Sequence, residues 1–162
     1  MSELERILNL AHSTLNRFRL DQKAAMVVGG SQGLGQGMAL ALAAAGADVC
    51  VVGLGAKNLE DTASAISQMG RKSLWIEADM TQEENVKRAV SRAVESFHRI
   101  DILVNSQGIS HLQPSEEFDV EAWQRVMDVN LKSIFLSCKH VGRIMLNQGK
   151  GKIINISSVR SF

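Results

Sequence analysis

Five short apolar runs recur along this chain: AAMVVG, DVCVVG, SLWIEA, DILVN and KIINIS. Segments with helical periodicity separate them. A run that stays apolar rather than alternating with polar residues belongs to a strand covered on both faces. Strands of that kind, each followed by a helix, build a parallel sheet with helices on two sides. Right-handed crossovers then favour a doubly wound α/β sheet of the Rossmann type. Such sheets hold ligands beyond the carboxyl ends of their strands, where the strand order reverses. The residues that follow each strand are therefore the ones to inspect for function.

The helical segments carry their own punctuation. GLGQGMALALAAAG is a helix of small residues closed by Gly46. NLEDTASAISQMG offers Asn58 as N-cap and Gly70 just past its end. TQEE reads as a capping box between Thr81 and Glu84, ahead of a helix apolar at Val86, Ala89, Val90, Ala93, Val94 and Phe97. A long helix from Glu121 to about Asn147 shows an apolar stripe at Trp123, Met127, Ile134, Cys138, Val141 and Met145, and Asn130 falls on it. A buried amide there must be hydrogen-bonded, to a neighbouring backbone or within a working site. Trp75 and Trp123 are expected in the core, and Cys50 and Cys138 as buried thiols. Leu4, Ile7 and Leu8, with Leu15 and Phe18, make residues 1–20 a helical arm; residues 21–162 form the domain proper.

The net charge of +1 gives no basic excess for nucleic acid, and no stretch is long and apolar enough to span a membrane. Two lone cysteines make no disulfide or metal framework, so a reducing, cytoplasmic setting without a metal is expected.

The first strand runs into VVGGSQGLGQG, where Gly29, Gly33 and Gly35 give G-x-x-x-G-x-G at the start of a helix. Glycine permits the tight turn and close backbone approach. The helix N-terminus presents free N–H groups and positive dipole to a phosphate. Ser31 and Gln32 can add donors. Between a buried strand and a helix this is a dinucleotide-binding arrangement. The same letters also read G-x-S-x-G at Gly29 to Gly33, the nucleophile elbow of hydrolases, with His111 or His140 as base. Almost nothing precedes the first strand to supply an oxyanion hole, and Gly35 has no task in an elbow.

With this loop in place, residues 18–162 resemble the short-chain dehydrogenase/reductase family. Its T-G-x-x-x-G-x-G pattern stands here as Val28-Gly29-Gly30-Ser31-Gln32-Gly33-Leu34-Gly35, with valine for the usual threonine. The aspartate that bonds the adenine in that family matches Asp79, followed by Met80, in EADMT. Its N-N-A-G matches Asn105-Ser106-Gln107-Gly108, atypical in the middle. MDVNLKSIF resembles the segment with the family's catalytic asparagine, at Asn130, and INISSV the strand with its catalytic serine, at Ser158 beside Val159. His111 follows the fourth strand's loop, as a substrate contact or a solvated loop residue, and Lys152 reads as a solvated charge.

The resemblance implies an NAD(P)(H)-dependent oxidoreductase that interconverts a secondary alcohol and a ketone, and a homo-oligomer, dimer or tetramer. NAD-specific sites carry an acid on the ribose at the end of the second strand. That position is Gly53, and Lys57 lies nearby, so the balance falls to NADP(H), although Gln32 stands where many NADP-using relatives have a basic residue. The glycine loop and ISSVRSF look most like sugar-acid or polyol dehydrogenases of the gluconate 5-dehydrogenase kind, with 3-oxoacyl carrier-protein reductases next. The family's proton donor is the tyrosine of a Tyr-x-x-x-Lys that follows the catalytic serine. The chain contains no tyrosine. It is expected to be the C-terminally incomplete part of a longer enzyme, or else an inactive cofactor-binding or interaction fragment.

Overall fold

The structure is a computed structural model that describes residues 2–158. Val159 and the rest of the ISSVRSF likeness lie outside the described residues, as does the side chain of Leu15. The elements run α1 (Glu3–Asn16), β1 (Ala24–Val28), α2 (Gly33–Ala44), β2 (Asp48–Gly53), α3 (Ala56–Gln68), β3 (Ser73–Glu77) and α4 (Glu83–Phe97), then β4 (Ile102–Asn105), α5 (Val120–Met127), α6 (Ser133–Asn147) and β5 (Lys152–Asn155). The strands form one parallel sheet in the order β3-β2-β1-β4-β5. The chain steps outward from β1 to β3, then returns through α4 to β4 on the other side of β1. The order therefore reverses between β1 and β4.

Successive strand residues point to opposite faces, which is why β1 and β2 must be apolar throughout. On one face Met26, Val28, Cys50, Val52 and Leu103 pack with Val86, Ala89 and Ala93 of α4 and with Leu136 and Val141 of α6. On the other, Ala25, Val27, Val49, Val51 and Val104 pack with Ala39 and Ala43 of α2 and Leu59 and Ile66 of α3. The alanines of α2 let that helix lie close to the sheet. At the edge of the described sheet β5 is exposed along its length in this chain, and Lys152 is exposed as expected.

Several local expectations are corrected. Trp75 is 37% and Trp123 51% exposed, so neither is a core residue, and Cys138 is only partly buried. α3 starts two residues before Asn58, and its first N–H groups are taken by the Glu77 carboxylate instead: Oε1 accepts from Gly55 N (3.1 Å) and Ala56 N (3.0 Å). Thr81 forms no capping box with Glu84: the N-cap of α4 is Gln82, and Thr81 instead donates its N–H and hydroxyl to Asp79 Oδ1 (2.9 and 2.8 Å). Between α5 and α6 the long helix holds a π-helical turn, Asp128–Lys132. One extra residue in a helical turn rotates everything after it by about 100°. The buried face of α6 is accordingly Ser133, Leu136, Ser137, Val141 and Met145, and Asn130, at the turn itself, is exposed.

Polar contacts tie the elements together. Glu83 of α4 accepts from Lys139 Nζ and contacts His140 Nε2 through the same oxygen, both at 2.8 Å, and these α6 partners hold its carboxyl down to about 2. Buried Asp101 accepts from Ala24 N (3.0 Å) and Arg99 Nε (2.6 Å), joining the starts of β1 and β4. Burial pushes the Asp101 carboxyl up, but the Arg99 guanidinium and the Ala24 N–H outweigh it and leave it below its ordinary value. A carboxyl depressed in the folded state contributes stability that is complete above its unfolded value, about pH 4, and is lost as pH falls through the folded one. Asp101→Asn is expected to cost about 1–3 kcal/mol in urea unfolding at pH 7. It should also flatten the acid limb of stability below about pH 4. An acid limb identical to the parent's would contradict this assignment.

Candidate functional site

At the carboxyl edge of the sheet, where the order reverses, a crevice of about 500 Å³ opens. Its floor is the turn between β1 and α2. Gly29 has φ +80, and a Cβ there would lie 2.7 Å from Gln107 N, so the turn packs directly on the loop after β4. A Cβ on Gly35 would overlap the Gly29 carbonyl oxygen, so only glycine lets α2 begin this close to the strand. Gln32 occupies the N-cap in extended backbone without a side-chain cap bond. The first N–H groups of α2 have no partners within the helix, and no side chain covers them as a cap. Gly33 has no neighbouring atom within 4 Å of its would-be Cβ. This is a cradle that a side chain would fill and that fits an anion held by backbone donors and the helix dipole.

The crevice gathers Gly29, Ser31, Gln32, Gly33, Leu34, Gly35, Asp79, Met80 and Gly108. Three of the expected residues lie differently. Asn105 is fully buried beneath the floor: it accepts from Ser137 Oγ (2.8 Å) and donates to Asn155 Oδ1 (2.8 Å), joining β4 to α6 and β5. Asn130 spends both ends of its amide on one backbone unit, accepting from Ile109 N (2.9 Å) and donating to Ile109 O (2.8 Å). It clamps the loop after Gly108. Ser158 is exposed, two residues beyond Ile156, which does line the crevice and whose N–H donates to Asn105 O (2.9 Å).

The loop after β4, on which the turn packs, adds contacts that the sequence did not announce. Gln107 Nε2 donates to Ser133 Oγ (2.9 Å), while Gln107 Oε1 is buried without a partner. Ser106, Thr81, Val129 and Ser133 also line the crevice, as do Gly53 and Leu54 at its far end. The atypical pair Ser106-Gln107 was visible as a departure from a pattern, but nothing in it announced the contact to Ser133. Among the described lining residues Asp79 is the one ionisable side chain, and no Lys or Arg is present. Neither His111 nor His140 lines the crevice beside Ser31. His111 is exposed, near Gln113 Oε1 (3.2 Å) and edge-on to Phe118, and His140 is engaged by Glu83. The elbow reading therefore lacks its base.

The chain matches the family model of the short chain dehydrogenases over residues 23–162, and it belongs to that family. It is 43% identical over 146 residues to 2-dehydro-3-deoxy-D-gluconate 5-dehydrogenase of Bacillus subtilis, covering 90% of this chain and 56% of that protein. It is 33% identical over 144 residues to an NAD-dependent glycerol dehydrogenase of Listeria innocua, covering 89% and 56%. Its fold is similar to that of a 7α-hydroxysteroid dehydrogenase solved with NADH and 7-oxo glycochenodeoxycholic acid, with a TM-score of 0.87, 28% identity, and coverage of 90% of this chain and 57% of that one. The chain thus spans little more than half the length of these relatives.

The Asn130 clamp yields a direct expectation. Asn130→Ala removes both bonds to Ile109 and should speed amide hydrogen exchange at Ile109 by about tenfold, leaving the sheet protected. Unchanged exchange there would show that the loop is held by other contacts.

Proposed function

We propose that the crevice binds NAD(P)(H) and that the protein, in the form that carries a tyrosine acid/base, is an oxidoreductase acting on a small secondary alcohol or ketone. The observation that carries this is the uncapped N-terminus of α2 opening over Gly33 at the strand-order reversal. When bound, the nicotinamide supplies hydride acceptance or donation. The chain's own residues do the rest. Backbone N–H groups at Gly33 to Gly35 hold the pyrophosphate, with Ser31 and Gln32 beside them. Asp79, its Oδ1 fixed by Thr81, reads the adenine, and Met80 packs against it. Gly108 lets the backbone approach the ribose, while Asn105 holds the wall from beneath. Ser158 donates to the substrate oxygen, and Asn130 keeps the loop beside that oxygen in place.

The substrate class favoured is a sugar acid or polyol, on the strength of the Bacillus and Listeria relatives. Residues 1–20 are proposed as an arm outside the binding domain, and the cytoplasm as the setting. No described helix is long and apolar enough to cross a membrane. Exposed Trp123, Leu131 and Phe135 support self-association as a homodimer or tetramer. On the cofactor, the Gly53 position favours NADP(H), while the position of Glu77 favours NAD(H).

A second reading is a cofactor-binding module without turnover; the 162 residues contain no tyrosine, so by themselves they are expected to bind cofactor without transferring hydride. Titration of the chain with NADH, followed by nicotinamide fluorescence, should show saturable binding. With NAD+ or NADP+ as hydride acceptor, the same chain should not oxidise 2-dehydro-3-deoxy-D-gluconate or polyols, and a form extended through a Tyr-x-x-x-Lys should. An extended form that binds cofactor but transfers no hydride would favour the module. Absence of binding by both would end the dinucleotide reading.

A further inference from the structure

Glu77 is the last residue of β3 and the register partner of Gly53 at the end of β2. Paired residues on parallel strands present their side chains to the same face. A Cβ on Gly53 would lie 3.9 Å from Ser31 Oγ, so that face looks toward the glycine turn. Glu77 therefore stands beside the place where an acid at position 53 would project. Its carboxylate is not free to swing away: one oxygen holds both Gly55 N and Ala56 N, directly after Leu54, which with Gly53 lines the crevice.

Two effects follow for a dinucleotide whose adenosine ribose lies at the end of β2. Glu77 does not itself line the crevice, but its fixed negative charge stands behind the lining residues Gly53 and Leu54, where a 2′-phosphate on that ribose would add further negative charge. The two backbone donors at the start of α3, which would otherwise attract that phosphate, are already occupied. The described lining residues include no Lys or Arg to offset this, and Lys57, in the first turn of α3, is paired with Asp61 at 2.6 Å.

We propose that Glu77 sets the cofactor choice, supplying from β3 the charge that Gly53 withholds at β2, and so selects NAD(H) against NADP(H). The proposal rests on the crevice being a dinucleotide site, and it reverses the balance that the Gly53 position alone suggested.

The test is the pair of dissociation constants for NADH and NADPH, by fluorescence titration of the chain at low ionic strength, for the parent and for Glu77→Gln. Glutamine keeps an amide oxygen for Gly55 and Ala56, and circular dichroism melting checks that α3 is retained. The parent should prefer NADH by about tenfold or more, and Glu77→Gln should tighten NADPH by about tenfold while leaving NADH within about twofold. In the parent alone, raising the salt should narrow the gap between the two cofactors, because screening weakens an exposed charge. That measurement serves even if the variant does not fold. A parent that prefers NADPH, or a ratio unmoved by both the substitution and salt, overturns the role of Glu77 and leaves the dinucleotide site standing. A folded parent that binds neither cofactor overturns both.

Discussion

The closeness of Gly35 to the Gly29 carbonyl is the constraint on which the site depends. It brings the first turn of α2 against the end of β1, at the one place where the sheet reverses its order. Any side chain at Gly35 would push the helix start away and tilt its N–H groups out of the crevice. Gly29 adds the second contact, with the loop after β4, so that one turn touches both halves of the doubly wound sheet. Asn105 braces the arrangement from below, through Ser137 and Asn155. The crevice is thus built from backbone first and side chains second.

That construction explains its electrostatics. A pyrophosphate carries negative charge, yet no Lys or Arg appears among the described residues that line the crevice. Under the proposed function, the attraction for a pyrophosphate comes from oriented N–H groups and the dipole of α2, which are fixed in place before a ligand arrives and pay no side-chain entropy. In the proposed site, Asp79 and Glu77 are the two acids at the adenosine end. Each is held by short contacts to its own surroundings, Asp79 by Thr81 and Glu77 by the start of α3.

The features legible in the sequence are those set by local composition. Apolar parity along β1 and β2, the small residues of α2, and Gly46 and Gly70 past helix ends all report the element they stand in. The crevice residues from Gly29 to Gly35 were legible because glycine at that spacing has few other uses. What was not legible depends on pairing across space. Asn58 and Thr81 are good caps on paper, but Glu77 reaches α3 from another strand and Asp79 takes Thr81 first. The π-helical turn at Asp128–Lys132 leaves no mark on composition, yet it rotates α6 and takes Asn130 off the buried face. Of the stripe drawn along the long helix, Val141 and Met145 beyond that turn are buried, while Trp123 before it is exposed.

The central claim is that backbone N–H groups at the start of α2 hold the pyrophosphate of a dinucleotide. Backbone amide chemical shifts, followed by NMR as ADP-ribose is added to the chain, test it most directly. The account predicts large, saturable shifts at Gly33, Leu34 and Gly35, with companion shifts at Asp79 to Thr81 and at Gly108. Saturable binding that leaves the three α2 amides unmoved, with shifts gathered instead around Asp119 and Arg125, would contradict it.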